Sequence, residues 1–253
     1  MLKRLRQGDK YAELRNEIRK IVSDNCGRYG YRRVTAELRK NGCKVNHKLV
    51  MRLMQEEGLT SRVRMKKYRS YRGEVGTAAP NIIDRDFTSE RPYRKLTTDI
   101  TEFSLFGRKL YLSPILDMYN GEIIAYELSE RPVLAQVMDM LKKAYAVIPD
   151  TNGCILHSDQ GWQYRDRKYQ ESLKQHGLIQ SMSRKGNCLD NSVMENFFGH
   201  LKTELLYLRE FSSYDEFVQE LKAYIEYYNT RRIKKKLNYL SPVEYRLSNT
   251  KAA

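Results

Sequence analysis

Three acidic residues occur in three different kinds of local sequence, and this combination restricts the folds that the chain can adopt. Asp99 lies inside the strand-like run KLTTDITEFSL, and Asp159 follows the short apolar run CILHS. Glu195 lies in DNSVMENFFGHLK, which has helical periodicity, and 35 residues separate it from Asp159. The pattern predicts a fold in which two strands and one helix bring their carboxylates together.

Convergent carboxylates of this kind suit a hard divalent cation such as Mg²⁺. Two such ions about 3.5–4 Å apart stabilise both the attacking and the leaving oxygen of a phosphodiester. Phosphoryl transfer depends mainly on positioning and on charge stabilisation, so few other side chains need to react. We therefore expect Asp99, Asp159 and Glu195 to be the catalytic and metal-binding residues of an enzyme that acts on DNA. The expected cofactor is a pair of Mg²⁺ ions, with Mn²⁺ as a substitute.

The distribution of charge supports a polyanionic partner. The chain of 253 residues has 46 Lys and Arg against 31 Asp and Glu. Residues 1–80 contain 21 of these basic residues and only 8 of the acidic ones, so the remainder is nearly neutral. A basic first third beside a nearly neutral body indicates a DNA-binding region attached to a catalytic region.

The first of these regions, residues 1–60, has the pattern of a helix-turn-helix. A glycine-flanked helical run, GRYGYRRVTAELRKNG, is followed by NHKLVMRLMQEEGL, for which Asn46 is a natural N-cap. The second helix is expected to present His47, Lys48, Met51 and Arg52 outward and to pack Leu49, Val50 and Leu53 inward. Among these we expect Lys48 and Arg52 to contact DNA.

Residues 61–90 are expected to form a basic linker that orders on DNA. Its first part, SRVRMKKYRSYRGE, alternates basic residues with tyrosines, a composition that suits phosphate neutralisation and base stacking. The linker residues that we expect to contact DNA are Arg62, Arg64, Lys66 and Lys67.

From residue 91 onward, strand-like and helical runs alternate. Three strands, the last two joined at Asn120-Gly121, precede a helix, a strand, a helix, a strand and a long helix over LDNSVMENFFGHLKTELLYL. This is the order of a ribonuclease H-like α/β domain. We assign residues 91–210 to this catalytic core and residues 211–253 to a C-terminal helical extension with a basic patch, RRIKKK.

The motifs together resemble a known family. They are GRYGYRRVTAELRKNGCKVNHKLVMRLMQEEGL, TTDITEF, LHSDQGWQY, SMSRKGNCLDNSVMENFFGHLKTELLY and YIEYYNTRRIKKKLNYLSPVEYR. Over about residues 27–247 the chain is similar to the DDE transposases of two-reading-frame bacterial insertion sequences, in particular to the downstream-frame product. Their catalytic core, the integrase core, is shared with retroviral integrases. One departure is KKKLNY, which stands where the family usually has a histidine, so we assign no catalytic histidine there.

The resemblance implies several properties of this chain. Asp99, Asp159 and Glu195 match the family's three metal-binding acids, and Lys202 matches a basic residue that contacts the DNA end. The implied reaction is cleavage at the ends of the element, followed by attack of the 3′-hydroxyl on target DNA. The implied partners are the terminal repeats, target DNA, further copies of the chain on paired ends, and an upstream-frame protein as fusion or partner.

Several side chains near the acids have two interpretations. Arg184 and Lys185, in a glycine-bearing loop, are expected to hold phosphate, although such loops are often only solvent-exposed. Asp190 is expected to cap a helix, and His157 is equally well read as a core histidine or as a group that positions DNA or water. Trp162, the only tryptophan, is expected to pack rather than to stack on a base.

Two other functions fit much of the same sequence. A non-catalytic DNA-binding regulator would use residues 9–60 and the linker, and its binding would not depend on Glu195. A plain ribonuclease H-like nuclease would cleave DNA but would not join it. All three functions predict strongly salt-dependent DNA binding, which therefore does not distinguish them.

The remaining composition indicates a cytoplasmic, nucleoid-associated protein. The four cysteines form no CxxC pair, so we expect reduced thiols and no zinc site, with Cys154 in the core. The first twenty residues are charged throughout, and no apolar run approaches the length of a membrane span. We therefore expect neither a signal peptide nor a membrane partner.

Overall fold

The computed structural model describes residues 9–60 and 78–250. The chain forms two compact units, residues 1–65 and residues 66–253. Within the described ranges, no helix is both long enough and apolar enough to cross a membrane.

In the described part of the first unit, residues 9–60, three short helices surround a small apolar core. The helices are α1 Ala12–Asp24, α2 Tyr31–Lys40 and α3 His47–Glu56. Asn46 caps α3, because its side chain accepts the N–H of Lys48 at 2.9 Å. Two arginines of α1 pair with the end of α3, and one of these bonds joins Arg19 Nε to Glu57 Oε2 at 2.7 Å. The predicted order of helix, short turn and capped helix is confirmed.

In the second unit, six strands of the described residues form one mixed sheet. They are β1 Lys95–Thr98, β2 Thr101–Leu105, β3 Arg108–Asp117, β4 Ile123–Ser129, β5 Ile155–Ser158 and β6 Ile179–Met182. β3 pairs antiparallel with β1 and β2 along one side and with β4 along the other. β1, β5 and β6 continue the sheet in parallel. This is the mixed sheet expected of a ribonuclease H-like domain.

The helices of this unit alternate with and follow the strands. They are α4 Leu134–Val147, α5 Trp162–Arg165, α6 Arg167–Gln175, α7 Ser192–Leu201, α8 Tyr214–Thr230 and α9 Pro242–Thr250. The buried core between the sheet and α4 and α6 includes Leu96, Val137, Leu156 and Leu173. Cys154 lies in this core and is fully buried, as expected. On the side of α7 and α8, Phe103 of β2 packs edge-to-face on Phe217 of α8.

The run KLTTDITEFSL, expected as one strand, is interrupted at Asp99 and Ile100. The pairing register is the same on both sides of the break, because Thr98 faces Ile115 and Thr101 faces Leu112. This register places Pro114 opposite Asp99, and proline has no N–H to donate to the ladder. The Asp99 carboxylate accepts the N–H of Ile100 at 2.7 Å. The strand therefore opens at the acidic residue.

The long helix expected after Asp190 also changes its winding. α7 ends at Leu201, and Lys202–Leu206 form a π-helical turn. A buried ion pair fixes this turn, since Arg232 Nε donates to Glu204 Oε2 at 2.8 Å and its Nη2 donates to Oε1 at 2.6 Å. The Tyr224 hydroxyl donates to the same carboxylate at 3.0 Å. The C-terminal part of the chain is thereby attached to the end of α7.

Breaking this pair should strongly destabilise the protein. We expect Glu204→Ala to lower the free energy of unfolding by about 3–5 kcal/mol, because it leaves the buried Arg232 guanidinium without its carboxylate. Glu220→Ala is the matched control, since Glu220 also pairs with an arginine but at the surface, where a pair contributes about 1 kcal/mol or less. The measurement is urea unfolding followed by circular dichroism.

A double substitution separates charge from packing in the same experiment. Replacing Glu204 and Arg232 together by methionine removes both buried charges, so this variant should be more stable than Glu204→Ala. Equal losses of unfolding free energy in Glu204→Ala and Glu220→Ala would contradict the conclusion that the buried pair stabilises the fold more than the surface pair does.

Candidate active site

The parallel pairing of β1 with β5 brings the first two acids to neighbouring positions. Thr97 faces His157 in this ladder, and two residues further along each strand stand Asp99 and Asp159. Side chains two residues apart project from the same face of a strand. Thr97 contacts Asn191, the N-cap of α7, whereas Thr98 contacts Met140 of α4. Asp99 therefore lies on the face of the sheet that α7 covers.

The pKa values of both carboxyl groups, Asp99 and Asp159, are raised in this site. Burial, followed by the charge of Asp159, holds the pKa of Asp99 well above its usual value. Burial also raises the pKa of Asp159, although the carboxylate accepts the N–H of Gly161 at 2.8 Å. Partly buried acids that repel one another are stabilised by a cation placed between them, and carboxylate oxygens are the ligands that Mg²⁺ prefers.

Glu195 lies in the first turn of α7, with an exposed side chain. Its charge also raises the pKa of Asp99, but less than the charge of Asp159 does. Among the described residues, no three acidic, histidine or cysteine side chains lie close enough together to form a metal-ligating group. The structure thus brings Asp99 and Asp159 together, and it places Glu195 at the same edge with a weaker influence.

Asn191 connects the start of α7 to Asp99. Its Nδ2 donates to Asp99 Oδ2 at 2.9 Å, and its Oδ1 accepts from the Thr97 hydroxyl at 3.4 Å. The Asn191 side chain is buried, and it lies one helical turn before Glu195. With Ile100 N–H on Oδ1, both oxygens of the Asp99 carboxylate accept a hydrogen bond.

Asp190 does not cap a helix, which corrects the expectation from sequence. Its carboxylate is buried, and Arg184 binds it with two side-chain bonds of 2.9 and 3.0 Å. Arg85 Nε donates to Oδ1 at 2.9 Å, and Asn81 Nδ2 donates to Oδ2 at 3.1 Å. These bonds, chiefly those from Arg184, hold the pKa of Asp190 well below its usual value. We refer to Asp190, Arg184, Arg85 and Asn81 as the Asp190 clasp.

Asn81 and Arg85 could not be predicted from the sequence, because nothing in a linear pattern relates residues 81–85 to a residue about a hundred positions later. Tertiary structure relates them through β6. Ser181 Oγ accepts the N–H of Ile82 at 2.9 Å, and the N–H of Met182 donates to Pro80 at 3.1 Å. These bonds hold the segment against the strand beside the clasp.

His157 is a core histidine, the first of its two interpretations. The ring is fully buried, and burial lowers its pKa, so it is neutral. Nε2 lies 3.0 Å from the carbonyl oxygen of Asp190, which can only accept, so Nε2 carries the proton. Nδ1 then accepts from the Ser181 hydroxyl at 2.9 Å. His157 thus attaches the backbone of Asp190 to β5.

The predicted DNA-contacting residues of the second unit lie at two places. Lys202 opens the π-helical turn beside β2, where its Nζ is 5.7 Å from the ring centroid of Phe103. Arg184 and Lys185 have exposed side chains in the loop before α7. Arg184 is nevertheless engaged, because it pairs with Asp84 as well as with Asp190. Contact with DNA stays a prediction for all three residues.

In the first unit, Lys48 and Arg52 have exposed side chains on α3, while Val50 and Leu53 are buried. Arg52 Nε is 3.5 Å from Glu56 one turn later. The other four residues expected to contact DNA lie outside the described residues; they are Arg62, Arg64, Lys66 and Lys67.

Two expectations about single residues are wrong. The charge of Arg232 was expected to belong to a surface basic patch, but its side chain is 2% exposed and binds Glu204. Trp162 was expected to pack, but it is 47% exposed at the start of α5. The neighbouring Gln163 and Tyr164 of that short helix are buried instead.

Comparison with known proteins gives a consistent result along the chain. Two families described as integrase core domain match residues 89–188 and residues 195–249, and the HTH-like domain family matches residues 10–67. The putative transposase InsK for insertion sequence element IS150 of Escherichia coli is 55% identical, over 97% of this chain and 87% of that protein. The transposase for insertion sequence element IS904 of Lactococcus lactis is 35% identical, over 94% of each.

The chain belongs to the transposases of bacterial insertion sequences. The family carries out transposition and DNA integration, which are polynucleotidyl transfers. An uncharacterised transposase-like protein of Haemophilus influenzae is also 52% identical, over 84% of this chain and 98% of that protein.

Solved structures support the fold of this transposase. The chain is similar to a component of the simian T-cell lymphotropic virus intasome in complex with PP2A regulatory subunit B56 gamma, with a TM-score of 0.50 and 16% identity. The similarity covers 86% of this chain and 70% of that chain. It confirms the ribonuclease H-like, integrase-type architecture.

Because the pKa of Asp99 is raised, ionisation of this carboxyl should destabilise the metal-free protein above mildly acidic pH. The raised pKa of Asp99 means that the folded state binds this proton more tightly than the unfolded chain does. Stability is therefore lost as the pH rises from the unfolded value of about 4 towards the folded pKa. We expect Asp99→Asn to melt at a higher temperature than the wild type at pH 8, without added metal.

The gain from Asp99→Asn should shrink as the pH falls towards 4, where the wild-type carboxyl is itself protonated. Asp139→Asn, on the exposed face of α4, should change the melting temperature little at either pH. Thermal unfolding across this pH range is the measurement. An Asp99→Asn variant that melts no higher than the wild type at pH 8 would contradict the assignment.

Proposed function

We propose that this transposase is a DDE-type polynucleotidyl transferase with Asp99, Asp159 and Glu195 as its catalytic residues. The observation that carries the proposal is the parallel register that brings Asp99 and Asp159 together at one sheet edge. The proposed third acid is Glu195, in the first turn of α7, whose charge raises the pKa of Asp99. We propose that it catalyses cleavage at the element ends and strand transfer into target DNA.

We propose two Mg²⁺ ions as the cofactor, with Mn²⁺ as a substitute, because carboxylates are the ligands that these hard cations prefer. All three candidate ligands are carboxylates, and the repulsion between Asp99 and Asp159 is of the kind that a bound cation relieves. Such ions, when bound, stabilise the attacking and leaving oxygens of a phosphodiester and activate water or a 3′-hydroxyl.

The chain's own contribution is orientation of the ligands. Asn191 and the N–H of Ile100 fix the Asp99 carboxylate. The N–H of Gly161 fixes the Asp159 carboxylate. A hydrogen-bonded carboxylate loses little further freedom when it coordinates an ion, so its side chain is already arranged for the task.

We also propose that basic residues in each predicted region of the chain bind DNA. Lys202, Arg184 and Lys185 would hold DNA beside the acids, and Lys48 and Arg52 would hold the terminal repeats. The basic linker side chains of Arg62, Arg64, Lys66 and Lys67 would neutralise phosphates between these regions. The proposed partners also include further copies of the chain and an upstream-frame protein.

A strand-transfer assay tests the catalytic assignment. We expect Glu195→Gln to reduce joined products from a labelled terminal-repeat duplex by about 100-fold or more in Mg²⁺ or Mn²⁺, because the amide is a poorer ligand for a hard cation. Glu171→Gln is the matched control, since Glu171 is an exposed helical acid on α6. Both variants should bind the duplex as the wild type does.

The same assay separates the alternatives. Wild-type cleavage without joining would favour the plain nuclease. Duplex binding with no chemistry by the wild type would favour the non-catalytic regulator. Undiminished joining by Glu195→Gln would remove Glu195 from the catalytic set.

A salt titration tests the proposed role of the first unit. Each phosphate contact contributes about 0.9 to the slope of log affinity against log salt. We therefore expect Lys48→Ala to lower this slope by about one for terminal-repeat DNA, as measured by fluorescence anisotropy. Lys174→Ala, an exposed lysine in the last turn of α6, is the control. Equal slopes for wild type and Lys48→Ala would exclude this contact.

A further inference from the structure

The start of α7 is held by more charged and polar contacts than a helix needs at its beginning. Its Asn191 N-cap makes no side-chain cap bond to the helix backbone. The side-chain amide of Asn191 instead forms hydrogen bonds with Asp99 and Thr97, which both lie outside the helix. Asp99 sets the orientation of this buried amide, because turning it by 180° would bring its oxygen against the carboxylate oxygen of Asp99, whereas the Thr97 hydroxyl can donate or accept.

We propose that Asn191 is a positioning residue that orients the Asp99 carboxylate for metal binding, and that the Asp190 clasp keeps Asn191 in place. The inference rests on the proposed metal site at Asp99. It assigns a role to residues that do not touch the reacting atoms, and it explains why a fully buried carboxylate stands next to the site without being one of its acids.

Two hydrogen-bond donors hold the Asp99 carboxylate. Asn191 donates to Asp99 Oδ2 while Ile100 donates to Oδ1, so the plane of the carboxylate is set from two sides. One donor comes from the break between β1 and β2, and the other from the residue just before α7. Loss of the second donor would leave the Asp99 carboxylate held only at Oδ1, by the N–H of Ile100, so the carboxylate could turn about that bond.

Asn191 is held in place by the contacts of the residue before it. The preceding residue, Asp190, is fixed by its carboxylate through Arg184 and Arg85, and by its carbonyl through His157. These contacts come from the loop before α7, from residues 81–85 and from β5. A residue fixed from three directions leaves its neighbour little freedom to move away from Asp99.

The charge of the Asp190 carboxylate is compensated by its arginine partners. The Asp190 carboxylate is paired with two guanidinium groups, so its negative charge is largely compensated. It therefore adds little repulsion to Asp99 and Asp159, whereas an unpaired acid at this position would oppose their ionisation. The clasp can brace the site without disturbing its electrostatics.

Metal affinity without DNA is the direct test. Titration of the full chain with Mn²⁺, with the free ion followed by electron paramagnetic resonance, gives a dissociation constant that requires no catalysis. We expect Asn191→Ala to weaken Mn²⁺ binding by about 10- to 100-fold, as is usual when the partner of a metal ligand is removed. Asn196→Ala removes the same side chain from an exposed position of α7 and should bind as the wild type does.

The clasp is tested by a double-mutant cycle in the same titration. Asp190→Asn should weaken Mn²⁺ binding, but it should add little once Asn191→Ala is present, because both substitutions release the same contact. Arg85→Ala is the second clasp variant; its side chain is 46% exposed, so the substitution creates no buried cavity. Circular dichroism melting verifies that each variant is folded.

Wild-type Mn²⁺ affinity in folded Asn191→Ala would overturn the positioning role. Additive effects of Asp190→Asn and Asn191→Ala would overturn the action of the clasp through Asn191. Asp99→Asn is the reference for the underlying proposal. If Asp99→Asn also binds Mn²⁺ as the wild type does, the metal site itself is wrong; if only Asn191→Ala is silent, the metal site stands and this inference fails.

Discussion

β1 and β5 pair in parallel with Thr97 opposite His157, and this register determines where Asp99 and Asp159 must lie. Each acid stands at or just beyond the last paired residue of its strand, at a point where the backbone leaves the ladder. On one strand, Pro114 lies across from Asp99 and has no N–H to donate there. The same alternation that directs Leu96 into the core directs Asp99 towards α7.

Two partly buried carboxylates side by side destabilise the fold unless the surrounding structure compensates. The compensation here comes from donors that are themselves held in place. Asn191, Ile100 and Gly161 bond to the carboxylates. The Asp190 clasp then stabilises the segment from which Asn191 projects. The arrangement resembles other functional sites, where unfavourable electrostatics are maintained by well-packed neighbours.

The helix that carries Glu195 is anchored at both ends by buried charges. At its start, Asp190 is paired with Arg184 and Arg85. Beyond its end, Glu204 in the π-helical turn is paired with Arg232, which follows α8. Paired and hydrogen-bonded charges are costly to separate in the interior, so α7 has one defined position against the sheet. A defined position is what a helix requires if it is to bring an acid to the edge of two strands.

Local pattern in the sequence determined the strand and helix order and the Asn46 cap, because hydrophobic periodicity and capping act over a few residues. The role of the three acids stays a prediction. Local pattern predicted one strand through Asp99, which is interrupted, and a long helix after Asp190, which continues beyond Leu201 but changes to π-helical winding. The contacts at these two places, Pro114 across the sheet and the Glu204–Arg232 pair, join residues far apart in the chain. Only tertiary structure could place Arg232 inside and Trp162 outside, and could join Asn81 and Arg85 to Asp190. Which partner a charge finds depends on the packing of the whole unit.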